Sequence, residues 1–167
     1  MAENDFDTGA QPNGADNGPQ IGLIAQYVKD LSFENPNSPA VYQSQTQPRI
    51  EIQFNIAAAA VADDVHEVSM KIEVRALGDN DATAFAVELV YAGLFGVRNV
   101  EADQLQPFLY AEAPRLLFPF ARRIVAETVR DGNFPPLLLD PIDFAGMYLA
   151  QAQQAESLAG SEPAGQA

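Results

Sequence analysis

Hydrophobic and polar residues alternate along two segments of the chain, residues 49–56 and 66–77. A period of two over such a length predicts a half-buried β-strand in each segment. The sequence at 78–81, Gly-Asp-Asn-Asp, is a strong turn signal, so the strand that follows it is expected to pair in an antiparallel manner. The apolar run at 21–30 does not distinguish between a helix and a strand.

The segment 83–97 is apolar on both faces of the predicted strand. One face carries Phe85, Val87, Leu89, Tyr91 and Phe95, and the other carries Ala86, Val90, Ala92 and Leu94. Both faces therefore favour burial, either beneath helices on both sides or against another subunit. Few helical residues follow, which favours association with another subunit.

From residue 101 the period changes to that of a helix. The predicted apolar stripe consists of Leu117, Phe120, Ala121, Ile124, Val125 and Thr128. Pro114 and Pro119 predict a kinked helix or two helices. An Asp140 cap followed by Pro141 predicts a last helix that runs to about Gln154. Strands followed by helices indicate an α+β fold with an antiparallel sheet.

The two ends of the chain differ from its middle. Residues 1–20 and 155–167 are poor in large apolar residues, which predicts flexible acidic tails around a folded domain at 21–154. The net charge of −14 excludes the basic surface that a nucleic-acid-binding protein needs, and favours a basic partner or solubility alone. The absence of cysteine excludes disulfides and thiolate metal sites. No export signal or membrane-spanning run is visible, which predicts a cytoplasmic protein.

A catalytic or metal site has weak support. The single histidine, His66, lies near Asp63, Asp64 and Glu67, a combination that can bind a metal or act as a base. These residues are placed at the entrance of a strand, where charged side chains are commonly solvated. The glycines lack the spacing of a nucleotide-binding loop. A small hydrolase or metal protein is therefore the least favoured interpretation.

Four strings of residues, in order and at matching spacing, resemble the SecB family of protein-export chaperones. They are Tyr-Val-Lys-Asp-Leu-Ser-Phe-Glu-Asn-Pro at 27–36, Ala-Asp-Asp-Val-His-Glu-Val at 62–68, Leu-Leu-Phe-Pro-Phe-Ala-Arg at 116–122, and Gly-Asn-Phe-Pro-Pro-Leu-Leu-Leu at 132–139 followed by Pro-Ile-Asp-Phe at 141–144. The resemblance implies a four-stranded antiparallel sheet with C-terminal helices packed on one face, assembled as a homotetramer that is a dimer of dimers. It also implies a holdase that needs no nucleotide or other cofactor, binds unfolded precursor proteins and transfers them to the SecA motor. A chaperone of the same fold dedicated to other clients, such as a toxin–antitoxin pair, is the alternative.

The resemblance also implies two sets of site residues. Asp30, Glu34 and Glu88 match acidic positions that contact SecA, and Ala86 stands where some relatives carry a larger apolar contact residue. Tyr148 matches an aromatic residue of the client groove, with Phe144 and Tyr42 as weaker candidates. The run at 57–62, which includes Ala58, Ala60 and Val61, matches a crossover loop bordering that groove. Thr46 stands where the family often has Trp, and the chain contains no Trp, so the groove is expected to be less aromatic there.

Overall fold

The computed structural model describes residues 17–160. Four strands form one antiparallel sheet in the order β1-β4-β3-β2. The strands are β1 Gln20–Glu34, β2 Arg49–Ala62, β3 Val65–Leu77 and β4 Thr83–Arg98. The helices are α1 Ala102–Pro107, a π-helical turn Phe108–Glu112, α2 Ala113–Asp131 and α3 Phe144–Ala159, and single 3₁₀ turns occur at Ala40–Gln43 and Asp79–Asp81. The predicted α+β class and the four-stranded antiparallel sheet are confirmed.

The alternating segments form β2 and β3, and the predicted turn joins β3 to an antiparallel β4. The ambiguous segment at 21–30 is the first part of the edge strand β1. Two bulges, between Leu23 and Ala25 and between Val28 and Asp30, interrupt its pairing with β4. Each bulge reverses the in-and-out alternation of the following side chains, which explains why the sequence showed no clean period of two.

The alanine-rich run at 57–62 was wrongly expected to be a connection. It continues β2 as a strand and pairs with the start of β3, from Ala57 opposite Ser69 to Ala62 opposite Val65. Only Asp63 and Asp64 separate β2 from β3, and Asp64 has a positive φ of 56° that suits a tight turn. The connection that crosses the sheet is the segment 35–48, because β1 and β2 lie on opposite edges.

The hydrophobic core lies between one face of the sheet and α2. Its fully buried side chains include Met70, Ile72, Leu89, Phe95, Leu117, Val125 and Val129. Leu117, Ala121 and Val125 were predicted in the helical stripe, whereas Phe120 is 41% exposed and Ile124 and Thr128 are only partly buried. Phe118 and Val129 are buried instead, so the buried side of α2 is rotated relative to the prediction. Pro119 lies inside α2, and the irregular backbone is the π-helical turn before it.

The last helix begins later and ends later than predicted. Its N-cap is Asp143, whose carboxylate accepts a hydrogen bond from the Gly146 backbone N–H at 2.9 Å, so the assignment of the cap to Asp140 was wrong. It continues to Ala159 rather than to Gln154. Flexible tails were predicted at 1–20 and 155–167. Residues 1–16 and 161–167 of these tails lie outside the described part of the chain.

Candidate functional site

Three surfaces of the molecule leave apolar or charged groups without cover in the described chain. We call them the edge groove, between β2 and α3; the open face, the side of the sheet opposite α2; and the apolar flank, where α2 passes over β1.

The edge groove is a narrow depression with aromatic walls. Its lining comes from Phe54, Asn55 and Ile56 of β2, Tyr110 of the π-helical turn, and Phe144, Met147, Tyr148 and Gln151 of α3. Phe118 packs edge-on against both Phe54, with ring centroids 6.3 Å apart, and Phe144, at 5.7 Å. These contacts fix the walls of the groove to the core beneath it.

Two predicted residues and one missed residue meet in this groove. Phe144 is 3% exposed and forms its floor, whereas the ring of Tyr148 is partly exposed. Met147, which sequence reasoning missed, is 39% exposed and lies beside Tyr148. A flexible thioether next to an aromatic ring suits contact with varied apolar side chains. Helical spacing places Met147 on the same apolar side of α3 as Phe144 and Tyr148, but it could not show that β2 faces this side across a groove.

The remaining predicted groove residues on β2 continue along the same edge. Ala58 is partly buried on the helix side of the strand, two residues beyond Ile56. Ala60 and Val61 are exposed at the end of the strand. No other strand of the described residues pairs with the outer edge of β2. The edge therefore offers backbone N–H and C=O groups next to small side chains.

Tyr42 and Thr46 lie at the end of the sheet where β1 ends and β2 begins, and neither lines the groove with Tyr148. The Tyr42 hydroxyl donates a hydrogen bond to the Gly132 carbonyl at 2.9 Å, and its ring packs against Phe134 with centroids 5.7 Å apart. The Thr46 hydroxyl donates to the Asp79 carboxylate at 3.1 Å. Tyr148 contacts the middle of β2 near Asn55, about 20 Å along the strand from its start at Arg49. The two groups of candidates therefore lie apart and do not form one pocket.

The open face brings together all four residues predicted to contact a basic partner. Glu34 pairs with Ala86, Ser32 with Glu88, and Asp30 with Val90, on the neighbouring strands β1 and β4. Because alternate side chains point to the same side of a strand, Asp30, Glu34, Ala86 and Glu88 share this face.

The open face contains a depression, and three of the charged residues that line it were not predicted as site residues. Glu51 of β2 and Glu73 and Arg75 of β3 line it together with Glu34, Ala86 and Glu88. The alternation of β2 and β3 indicated that these side chains point away from the core. The turn signal at 78–81 predicted that β3 lies beside β4, but not the register that brings Glu73 opposite Glu88 or the position of β2 on the far side of β3.

A lysine connects two of these carboxylates. Glu73 and Glu88 are directly opposed in the pairing of β3 with β4, and Lys71 Nζ lies 3.2 Å from the Glu88 carboxylate and 3.4 Å from that of Glu73. Hydrogen bonds first to Glu88 and then to Glu73 raise the pKa of Lys71 above its ordinary value. The lysine therefore stays charged and offsets the repulsion between the two glutamates.

A second polar cluster lies further along the open face. The Tyr27 hydroxyl donates a short hydrogen bond to Glu67, and Lys29 Nζ donates to the other Glu67 oxygen at 2.6 Å. These two bonds, Lys29 first, lower the pKa of the Glu67 carboxyl, and the bond to Glu67 raises the pKa of Tyr27. The cluster ties β1 to β3 across β4.

The apolar flank carries exposed large apolar side chains from both α2 and β1. The ring of Phe120 stacks on Tyr91 at 6.4 Å, and Tyr91 pairs with Val28 of the edge strand β1. Leu31 is the next β1 residue that points to the helix side, opposite Leu89. The exposed side chains of this flank are Leu23, Val28, Leu31, Leu116 and Phe120, each between 41% and 45% exposed. The second face of β4 belongs to the open face, and its association with another subunit stays a prediction.

The structure adds little to the idea of a metal or catalytic site. His66 is the second residue of β3, and among residues 17–160 no group of three or more histidine and acidic side chains is arranged to hold a metal ion. Within the same residues, no helix is long and apolar enough to cross a membrane.

Comparison with protein families gives one match over most of the chain. A family model described as preprotein translocase subunit SecB matches residues 14–155. The protein-export protein SecB of Zymomonas mobilis is 59% identical over 167 residues, which cover 100% of both chains. That of Sphingopyxis alaskensis is 62% identical over 159 residues, covering 94% of this chain and 92% of the relative.

A solved structure with a similar fold is a SecB-like chaperone from Mycobacterium tuberculosis, in complex with a peptide from an antitoxin. The TM-score is 0.61 with 16% sequence identity, and the match covers 73% of this chain and 90% of that chain. This likeness supports the fold alone.

Proposed function

The chain belongs to the SecB family of protein-export chaperones, and on that premise we propose that it binds unfolded precursor proteins without ATP and delivers them to the SecA motor. It is a chaperone of the Sec pathway by family. The holding of unfolded clients and the transfer to SecA are the specific steps that we propose. They need no catalytic residue and no cofactor, and we place them in the cytoplasm.

The observation that carries the proposal is the edge groove beside an unpaired strand edge. Tyr148 and the 39%-exposed Met147 offer apolar contact area, and the outer edge of β2 offers backbone hydrogen-bonding groups. An extended, unfolded segment can use both at once, because its side chains alternate and its backbone is free to pair. Backbone pairing does not depend on sequence, so many different clients can bind.

The open face supports docking of SecA on the opposite side of the sheet. Asp30, Glu34 and Glu88 present carboxylates around the small side chain of Ala86. Such a surface attracts a cationic segment over a distance and holds it by ion pairs. Because the edge groove and the open face use different side chains, one subunit can hold a client and SecA together.

Assembly into a homotetramer, arranged as a dimer of dimers, is also part of the proposal. The apolar flank supports it, because five exposed large apolar side chains at one place favour burial against another copy. Burial there leaves the open face and the edge groove accessible.

A chaperone dedicated to a toxin–antitoxin pair is the less favoured alternative. The relatives at about 60% identity are named protein-export proteins, whereas the antitoxin-binding chaperone shares only 16% identity.

The proposed activity is tested by light scattering from a denatured secretory precursor diluted into buffer without ATP. A stoichiometric amount of this protein is expected to delay or suppress the aggregation of the precursor. Aggregation at the rate seen with an equal amount of serum albumin would contradict the proposal.

A further inference from the structure

We propose that Lys71 acts as an internal counter-ion of the SecA docking surface and limits how tightly that surface binds a cationic partner. The proposal rests on the proposed docking of SecA to the open face. It assigns to Lys71 a role in limiting the affinity of the surface, although Lys71 does not itself attract the partner.

Glu73 and Glu88 are directly opposed on β3 and β4, and the side chains of both point to the open face. Like charges placed opposite each other across a strand pair repel. The exposed amine of Lys71 lies within 3.4 Å of both carboxylates and offsets this repulsion.

Lys71 competes with an incoming cationic side chain for the Glu88 carboxylate. Glu88 is one of the carboxylates proposed to contact SecA, and in the free protein its nearest cation is Lys71 at 3.2 Å. A cationic side chain of the partner must share or replace that ion pair. Both groups are well exposed, with 38% of the Lys71 side chain and 42% of the Glu88 side chain accessible, so the internal pair is weak enough to be displaced.

Carboxylates outnumber cationic groups in the lining of the depression on the open face. Glu34, Glu51, Glu73 and Glu88 line the depression together with Arg75, and Lys71 bonds to two of the four carboxylates. Removal of the Lys71 charge therefore leaves both glutamates free for an incoming cation. Affinity for SecA is expected to rise, and its dependence on salt is expected to become steeper.

The test compares the affinities of purified SecA for variants of the full-length protein by calorimetry at low ionic strength. Lys71→Met is expected to bind SecA about two- to fivefold more tightly than wild type, as expected for the loss of one exposed ion pair. Lys71→Arg keeps the positive charge, so this variant is expected to bind SecA with the same affinity as wild type. Lys71→Gln keeps a hydrogen-bonding side chain between the glutamates, and it carries the test if Lys71→Met lowers the folded fraction.

The matched control is Arg98→Met, which removes one positive charge from another exposed ion pair, that with Asp64 at 3.6 Å. Arg98 lies ten residues from Glu88 along β4, about 33 Å away. At this distance dissolved salt largely screens the charge of Arg98 from Glu88. Its affinity for SecA is expected to equal that of wild type. An equal rise in both variants would overturn the proposal, because net charge alone would explain it.

Unchanged or weaker SecA binding by Lys71→Met and Lys71→Gln would also overturn the role of Lys71. Glu34→Lys/Glu88→Lys, measured in the same series, separates this result from a failure of the docking surface. If that double variant binds SecA as wild type does, then the docking proposal fails and the role of Lys71 fails with it. If the double variant loses SecA while the Lys71 variants gain nothing, only the role of Lys71 is overturned.

Discussion

The ring of Tyr148 lies nearly parallel to the ring of Tyr110, with an interplanar angle of 14° and centroids 6.3 Å apart. Tyr148 belongs to α3 and Tyr110 to the π-helical turn before α2, so the pair joins two helical segments at the wall of the edge groove. The position of the Tyr148 ring is therefore set by a neighbour and not by its own helix alone.

Tyr148→Ala is expected to weaken client binding about tenfold, because an aromatic side chain fixed at a binding surface contributes roughly 1.4 kcal/mol. Titration of an unfolded precursor peptide measures this, and native mass spectrometry is expected to show an unchanged tetramer. Leu149→Ala is the control, since Leu149 is 58% exposed on the same helix and does not line the groove. Loss of the tetramer in Tyr148→Ala would show that the residue is structural.

Glu67→Gln is expected to lower stability at pH 7 by about 1 kcal/mol, because the charged partner of Tyr27 and Lys29 is lost. The pKa of Glu67 is depressed in the folded protein, so its contribution is fully present above the pKa of the unfolded state. The contribution disappears as the pH falls through the lower, folded pKa. The difference between variant and wild type should therefore narrow on acidification.

Thermal unfolding from pH 7 to pH 3, at one fixed protein concentration, checks this pH dependence. Glu51→Gln is the control, because Glu51 forms an exposed ion pair with Arg49 and such pairs contribute little to stability. A stability difference for Glu67→Gln that is constant over the whole pH range would contradict the assignment.

Leu31→Glu and Phe120→Glu are each expected to shift the protein from tetramers to smaller species, because a charge buried in the apolar flank would have no partner. Sedimentation velocity at micromolar concentration measures the distribution. Leu158→Glu is the control, since Leu158 is 72% exposed at the end of α3. Wild-type sedimentation of both flank variants would show that the tetramer uses another surface.

Alternation identified β2 and β3 because one face of each packs on the core, whereas β4 was predicted from the turn signal before it and from its apolar residues on both faces. It failed for β1, where two bulges break the period, and for the second half of β2, where alanine occupies both faces and leaves no contrast to read. Both segments are strands because each pairs with a neighbouring strand, β1 with β4 and Ala57–Ala62 with β3.

The candidate site was predictable to different degrees for different residues. Family resemblance placed Asp30, Glu34 and Glu88 in one set, and the pairing of β1 with β4 brings them to one face. The same resemblance grouped Tyr42 with Tyr148, which the fold places apart: Tyr42 bonds to Gly132 at the end of α2, and Tyr148 lies beside the middle of β2. Lys71 could not be identified in advance, because the turn signal between β3 and β4 does not give the register that brings Glu88 beside Lys71 and Glu73.

The measurement that tests the two-surface account most directly is calorimetry on Glu34→Lys/Glu88→Lys with SecA and with an unfolded precursor. Reversal of two charges on the open face is expected to weaken SecA binding at least tenfold and to leave precursor binding within twofold of wild type. Unchanged SecA affinity, or an equal loss of precursor binding, would contradict the assignment of docking and holding to opposite sides of the sheet.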